Sequence, residues 1–370
     1  MSELEGIIRA AILAKGPMRF DRFMELALYH PGLGYYAKTT GPAHIGKSGD
    51  FFTSVSVGPL FGRLLARQFY QMWLLLGKPQ AFAIIEQGAH DGQLARDIVD
   101  WCRTETPDFF DAVRYGIVLD SGLAPSIPME LADRVTTFPT LESLAVEQGV
   151  FFSNELVDAF PVRRIVRLEG EWCEQQVVIE GDKFVWSHRP IDDAELTEAI
   201  VELDLPAIEN YTTEINLRAR HWIAEVTRSI QRGYVVTIDY GWPASIYYAP
   251  FRTSGTLTAR HEHKIVDDIL CTPGEMDLTA HIDFTSLAQA GETAGLSTLG
   301  FLDQQRFLTG IAHDELSGAE GPPVKIQENL RTWNTLTHPG HLGARFHSLV
   351  QAKNAPGGLD GLRFARPGGL

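Results

Sequence analysis

Long apolar runs, a cysteine framework and a basic face are all missing from this chain of 370 residues. No stretch approaches the roughly eighteen consecutive apolar residues that a membrane-spanning helix needs, and Trp73–Leu76 is typical of the short runs present. Membrane partners are therefore not expected. The three cysteines, Cys102, Cys173 and Cys271, stand far apart and form no C-x-x-C pair, which excludes a disulfide framework and a zinc knuckle. Lys and Arg number 32 against 47 Asp and Glu, a formal charge of −15, and the cations are scattered. Nucleic acid, which demands a basic footprint, is excluded as a partner, and a basic protein surface is better matched. His261, His263 and His281 follow no ligand spacing, so no metal is assigned. The fingerprint G-x-G-x-x-G is also absent, which removes the phosphate cradle of a nicotinamide-dependent dehydrogenase.

What is present is an ordinary globular composition, 44% apolar and 10% aromatic, enough for one large domain with additions or two smaller ones. The opening MSELEGIIRAAILAKG has early acids and an amphipathic pattern, unlike a signal or transit peptide, and reads as the start of a cytoplasmic protein. From Ala81 strand and helix patterns alternate. Strands are expected at 81–85, 114–119, 134–138, 150–153 and 233–241, with later ones near 296–301 and 345–352, and helical spacing lies between them, as in Gln93–Trp101. This alternation predicts an α/β fold with a mostly parallel sheet covered on both faces. The rhythm breaks after Pro161, where two or three antiparallel strands turn at Glu169-Gly170 and Gly181-Asp182 before a helix expected over Thr213–Ile230. The resulting organisation is a helical and loop region over residues 1–80 that covers the active site, an α/β domain over 81–353 with insertions at about 162–210 and 242–280, and a flexible Gly- and Pro-rich tail over 354–370.

The chemistry concentrates in a few stretches. AFAIIEQGAHDG, Ala81–Gly92, is a strand, a glycine turn and a helix start, with Glu86, Gly88, His90 and Gly92 at the turn. Backbone N–H groups and close main-chain approach make such a turn a cofactor cradle, and the leading acid favours a cationic or hydroxyl-bearing cofactor such as S-adenosylmethionine over a pyrophosphate. Asp120, after the second strand, is placed to accept ribose hydroxyls and reads equally as a surface residue or a helix cap. NELVDAFP follows the fourth strand, which leaves two readings: Asn154, Glu155 and Asp158 face the ligand crevice, where two carboxylates three apart can grip a guanidinium, or the stretch is a capped turn with solvated acids. GDFFTS holds Asp50, Phe51, Thr53 and Ser54; Asp239 and Tyr240 end the fifth strand; DLTAHIDF holds His281 and Asp283, the latter equally readable as a helix cap.

Taken together, YHPGLGYY (Tyr29–Tyr36), GDFFTS, the glycine turn, NELVDAFP, IDYG (Ile238–Gly241) and GTLTARHEHKIVDD followed by PGEMDLTAHIDF (Gly255–Phe284) resemble the MidA-like, S-adenosylmethionine-dependent methyltransferases. The mitochondrial member of that family is a complex I assembly factor that methylates an arginine of a complex I subunit. The resemblance runs from about Met18 to Ala352. It implies a Rossmann-like methyltransferase fold, a central seven-stranded sheet whose last strand is antiparallel. It also implies roles: Glu86, Gly88, His90, Gly92, Asp120 and Asn154 toward the cofactor; Glu155, Asp158 and Asp50 as acceptor-orienting carboxylates, with His281 or Asp239 relaying the proton; and Phe51, Thr53, Ser54, Tyr240 and Asp283 toward substrate. The family pattern E-x-G-x-G-x-G carries a glycine where this chain has His90, so the imidazole is expected either to narrow the cofactor site or to hydrogen-bond in it. A catalytically silent assembly chaperone with the same fold is the alternative.

Overall fold

The run FAIIEQ is buried almost throughout, as a strand flanked on both sides in a parallel sheet must be. In the computed structural model, which describes residues 2–37, 53–119, 133–261, 264–366 and 369–370, it forms Phe82–Gln87 (β1). With it run Val113–Val118 (β2), Val135–Phe138 (β3), Val146–Asn154 (β4), Ile230–Trp242 (β5), Ser297–Asp303 (β6) and Phe346–Lys353 (β7), in the lateral order β6-β7-β5-β4-β1-β2-β3. Only β7 opposes its neighbours. Along this lateral order the expected seven strands, mostly parallel with an antiparallel final strand, are observed. The chain runs outward from β1 to β3 and then returns to β4 on the other side of β1. That reversal opens a crevice beyond the carboxyl ends of β1 and β4, where ligands bind in sheets of this kind.

Two compact units make up the chain. One comprises residues 52–156, 222–241 and 284–370 and contains the sheet. Its core is continuous across Leu60–Leu75 (α1), Gln93–Glu105 (α2) and the strands, with Phe61, Phe69, Ile98, Phe82, Phe152 and Val236 buried together. Residues 60–75 thus belong with the sheet and not with the N-terminal segment, because the apolar face of α1 (Phe61, Leu64, Leu65, Phe69, Met72) is buried in that core. The end of the chain is another difference from expectation. Leu359 is 3% exposed, Gly361 N donates to Gln68 Oε1 at 2.8 Å, and Tyr234 Oη donates to the Pro356 carbonyl at 2.9 Å, so apolar burial and side-chain acceptors hold a stretch that composition alone suggests is loose.

The second unit gathers residues 1–51, 157–221 and 242–283, of which the described ones build two small antiparallel sheets. Arg163–Leu168, Glu171–Glu180 and Lys183–Pro190 form the hairpins expected from the Glu169-Gly170 and Gly181-Asp182 turns. Met18–Arg19 pairs onto Val177 and Gln176, which ties the N-terminal helices Glu3–Lys15 and Phe20–Tyr29 to this unit. The helix expected over Thr213–Ile230 is shorter: Thr212–Ile215 is a strand beside Arg163–Val166, and the helix begins at Leu217. Two threonines and an isoleucine, stiff at χ1, suit the pleat, and Asn216 Oδ1 accepts from Ala219 N at 2.9 Å, marking where the helix can start.

Candidate active site

β1 ends at Gln87, and the chain turns through Gly88 (φ +89°) to Gly92 (φ +75°), the residue that caps α2. Both angles are costly for any residue with a β-carbon. At Gly88 that carbon would also sit 3.2 Å from Leu156 Cβ and 3.7 Å from the Asn154 carbonyl, so the turn lies directly against the end of β4. His90, between them, is exposed and does not carry a positive φ. The middle position of this turn therefore does not require glycine, and the imidazole imposes no backbone strain on the cradle.

Glu86 precedes the turn and is 4% exposed. Tyr115 on β2 donates its hydroxyl to Glu86 Oε2 at 2.6 Å. Burial pushes the Glu86 carboxyl up to about 7, against the pull of the Tyr115 hydrogen bond and with a further push from Asp91. A carboxylate this close to half-protonation at neutral pH gains strongly from any cation brought beside it.

Just past the end of β4, Glu155 adopts φ +54°, a left-handed conformation uncommon outside glycine. Its geometry is held from several sides. Glu155 N donates to the Ile238 carbonyl at 3.0 Å, Asn154 Nδ2 donates to Glu155 Oε1 at 3.0 Å, and the Ser54 backbone also hydrogen-bonds the carboxyl. Asp239, fully buried, accepts from Leu156 N at 3.2 Å through Oδ2 and from Tyr240 N at 2.8 Å through Oδ1. Burial, then the charge of Asp239, raise Glu155 to about 8, offset in part by Asn154 and Ser54. Ser54, Asn154 and Asp239, from three motifs far apart in the chain, thus converge on one carboxyl.

Several expected roles change on inspection. Asp239, expected as a proton relay, is fully buried and accepts from the Leu156 and Tyr240 backbone N–H groups, contacts that brace the Glu155–Leu156 turn. Ser54 and Thr53, expected to meet substrate, are spent within the fold: Ser54 Oγ donates to buried Gln304 Oε1 at 3.1 Å, and Thr53 Oγ1 accepts from Ser56 N at 3.2 Å. Tyr240 is half-buried with its ring 4.1 Å from that of Phe346. Asp50, Phe51 and Asp120 lie outside the described residues.

The remaining candidates belong to the other unit. Asp158 is 8% exposed in a 3-10 turn, Val157–Ala159, and its carbonyl accepts from Ala280 N at 2.8 Å. Its charge reaches Tyr36, whose hydroxyl donates to Asp277 Oδ1 at 2.5 Å; burial first and Asp277 second hold that phenol well above its usual range. His281 stacks on Trp242 at 4.4 Å, and the Arg252 guanidinium lies 3.8 Å from the Trp242 ring centre. Asp283 is buried and hydrogen-bonded to Tyr248. Tyr115, Gln304 and Asp277 are the structurally engaged partners that sequence reading did not single out. Only Asp277 lay in a quoted motif.

The donors and acceptors at the crevice can be matched to a ligand. Glu86 offers a buried carboxylate, and Asn154 Oδ1 is a buried acceptor without a hydrogen-bond partner among the described residues. Gly88 leaves a space that a β-carbon would fill. Such a set suits a molecule with ammonium, sulfonium and hydroxyl groups and suits phosphate poorly.

Comparison with known proteins agrees. Residues 64–302 match the model of a family described as S-adenosyl-L-methionine-dependent methyltransferases. A crystal structure of a Burkholderia thailandensis superfamily member and candidate methyl transferase, bound to S-adenosyl-homocysteine, superposes with a TM-score of 0.85 at 29% identity, covering 99% of this chain and 95% of that one. The mitochondrial protein arginine methyltransferase NDUFAF7 of Danio rerio is 25% identical over 384 residues, 92% of this chain and 84% of its own. That of Rattus norvegicus is 26% identical over 370 residues, 91% of this chain and 81% of its own. The chain thus belongs to the S-adenosyl-L-methionine-dependent methyltransferase family, an enzyme that takes its methyl group from S-adenosylmethionine.

Proposed function

We propose that the methyl acceptor is an arginine side chain of a protein. The observation that carries this reading is the Glu155 carboxyl, held in a left-handed turn one residue before Leu156, whose Cβ packs against the cofactor's glycine turn. The names of the relatives, protein arginine methyltransferases, support it. An arginine guanidinium arrives charged, since its pKa exceeds about 12. A carboxylate beside it orients the group and draws positive charge away from the attacking nitrogen.

S-adenosylmethionine, when bound, supplies an electrophilic methyl group for in-line displacement. The chain's own part is to hold the acceptor at near-attack distance, exclude water and receive one proton. Glu86, Gly88, Gly92 and Asn154 would hold the cofactor. As the nitrogen–methyl bond forms, that nitrogen must lose a proton while the guanidinium keeps its charge. The arriving cation favours the ionised form of Glu155, whose proton is released to solvent, and the carboxylate beside the alkylated nitrogen is then placed to take the proton which that nitrogen loses. The acceptor protein presents a basic surface to a chain of formal charge −15, and by family resemblance it is a respiratory complex I type subunit. A cytoplasmic site of action belongs to the same proposal and is checked by cell fractionation.

Radiolabelled methyl transfer to arginine-containing protein tests the reading. Glu155→Gln is expected to lower turnover by about a hundredfold while leaving S-adenosylhomocysteine affinity intact. Equal rates for variant and parent would rule Glu155 out, and label recovered on lysine would rule out arginine.

A further inference from the structure

Glu86 stands at the mouth of the glycine turn, but nothing on its own strand orients it. Its one described hydrogen bond comes from β2. The register pairs Ile84 with Tyr115 and Glu86 with Ile117, so Tyr115 is the diagonal neighbour of Glu86 on the same face of the sheet. Tyr115 is 2% exposed, and its hydroxyl reaches Glu86 Oε2 at 2.6 Å. Glu86 Oε1 makes no hydrogen bond among the described residues.

We propose that Tyr115 is a positioning residue for the methyl donor: its buried phenol clamps one oxygen of Glu86 and leaves the other to receive the donor's cationic portion. This rests on the reading that Glu86 holds the cofactor. A carboxylate buried without such a donor would protonate and lose both charge and orientation. The groups that bear on this pair can be named on each packed element. Asp91 in the turn pushes Glu86 toward protonation. Asp97 and Cys102, on the α2 helix, face Tyr115, and none of these neighbours is a cation. Tyr115 is therefore the sole stabiliser of the Glu86 charge among the groups that reach it in the described residues. The tyrosine also has little freedom to leave, because desolvation and the adjacent Glu86 charge both hold its proton on.

Calorimetric titration with S-adenosylhomocysteine across a pH series, on parent, Tyr115→Phe, Glu86→Gln and the double variant, tests this without relying on turnover. In the parent, affinity is expected to weaken as pH falls through the Glu86 ionisation. Tyr115→Phe should move that midpoint upward by about one pH unit, so that binding is about tenfold weaker near pH 6.5 and converges with the parent above about pH 9. Glu86→Gln should bind weakly at every pH, and adding Tyr115→Phe to it should cost nothing further. An unmoved midpoint in Tyr115→Phe, with Glu86→Gln impaired, would overturn the role of Tyr115 and leave that of Glu86 standing. Parent-like binding by Glu86→Gln would instead overturn the reading beneath it. If Tyr115→Phe fails to fold, the Glu86→Gln pair decides: equal affinities for single and double variant support the proposal, and a further loss in the double variant contradicts it.

Discussion

Single residues carry most of the chemistry. Gly88 is the clearest case, because a side chain there meets both a left-handed backbone and the Leu156 Cβ at 3.2 Å. Gly88→Ala is expected to cost about 1–3 kcal/mol of stability and to weaken S-adenosylhomocysteine binding at least tenfold, read by thermal denaturation and calorimetry. His90 sits in the same turn with the opposite expectation. Its backbone needs no glycine, so His90→Gly should lower stability by only about 0.5–1 kcal/mol, through added freedom in the unfolded chain, and leave cofactor affinity within about threefold. Glu155 gives the pH signature. Free enzyme carries it protonated below its raised value of about 8, so the rate of methyl transfer at low substrate should climb with pH toward that value and level above it. A flat profile between pH 6 and about 9 would remove Glu155 as the proton acceptor.

At the scale of elements, Thr53 and Ser54, the described residues of the GDFFTS motif, act as supports. Ser54 hydrogen-bonds Glu155 through its backbone and Gln304 through its hydroxyl, and Gln304 Nε2 continues to the Leu336 carbonyl at 3.0 Å. Gln304→Ala should therefore cost about 1–3 kcal/mol for the buried groups it strands and, by loosening Ser54, push the Glu155 limb of the pH profile to higher pH. The positions of the strands and the mostly parallel sheet were legible from the sequence because buried parallel strands read as apolar runs; the antiparallel final strand came from the resemblance, and the lateral order, which depends on pairing, came from neither. The partition into units was not legible. Met18–Arg19 pairs with residues far along the chain, Val177 and Gln176, and no local pattern announces such a contact. Likewise Tyr115 in VRYGIV looks like any core aromatic, and its partnership with Glu86 follows only from register between two strands. Thr212–Ile215 misled for a related reason: helical spacing continues upstream of Leu217, and only the pairing with Arg163–Val166 makes those residues a strand.

For the whole molecule, buried carboxyls shape stability. Burial raises Glu86, Asp97 and Glu155 to about 7, 6 and 8 respectively. In each, the folded state keeps a proton that the unfolded chain has already released, so the stability present near pH 4–5 is lost as pH rises through the folded values. His347, lowered to about 4 by burial, opposes this on the acid side, since stability grows as pH rises toward its unfolded value. Asp193, held low by Arg163, acts in the same direction at lower pH. Three carboxyls outweigh one histidine above about pH 5, so the melting temperature should peak at about pH 4–5 and decline toward about pH 8, a decline that Glu155→Gln reduces; a melting temperature that rises between about pH 5 and 8 would contradict the assigned shifts. Everything proposed for this chain depends on one crevice holding S-adenosylmethionine against Gly88. Titrating S-adenosylhomocysteine into parent and Gly88→Ala, both verified as folded, tests that most directly. Micromolar binding by the parent, lost at least about tenfold in Gly88→Ala, is the expected result. Folded parent that binds no S-adenosylhomocysteine, or Gly88→Ala that binds as the parent does, would contradict it.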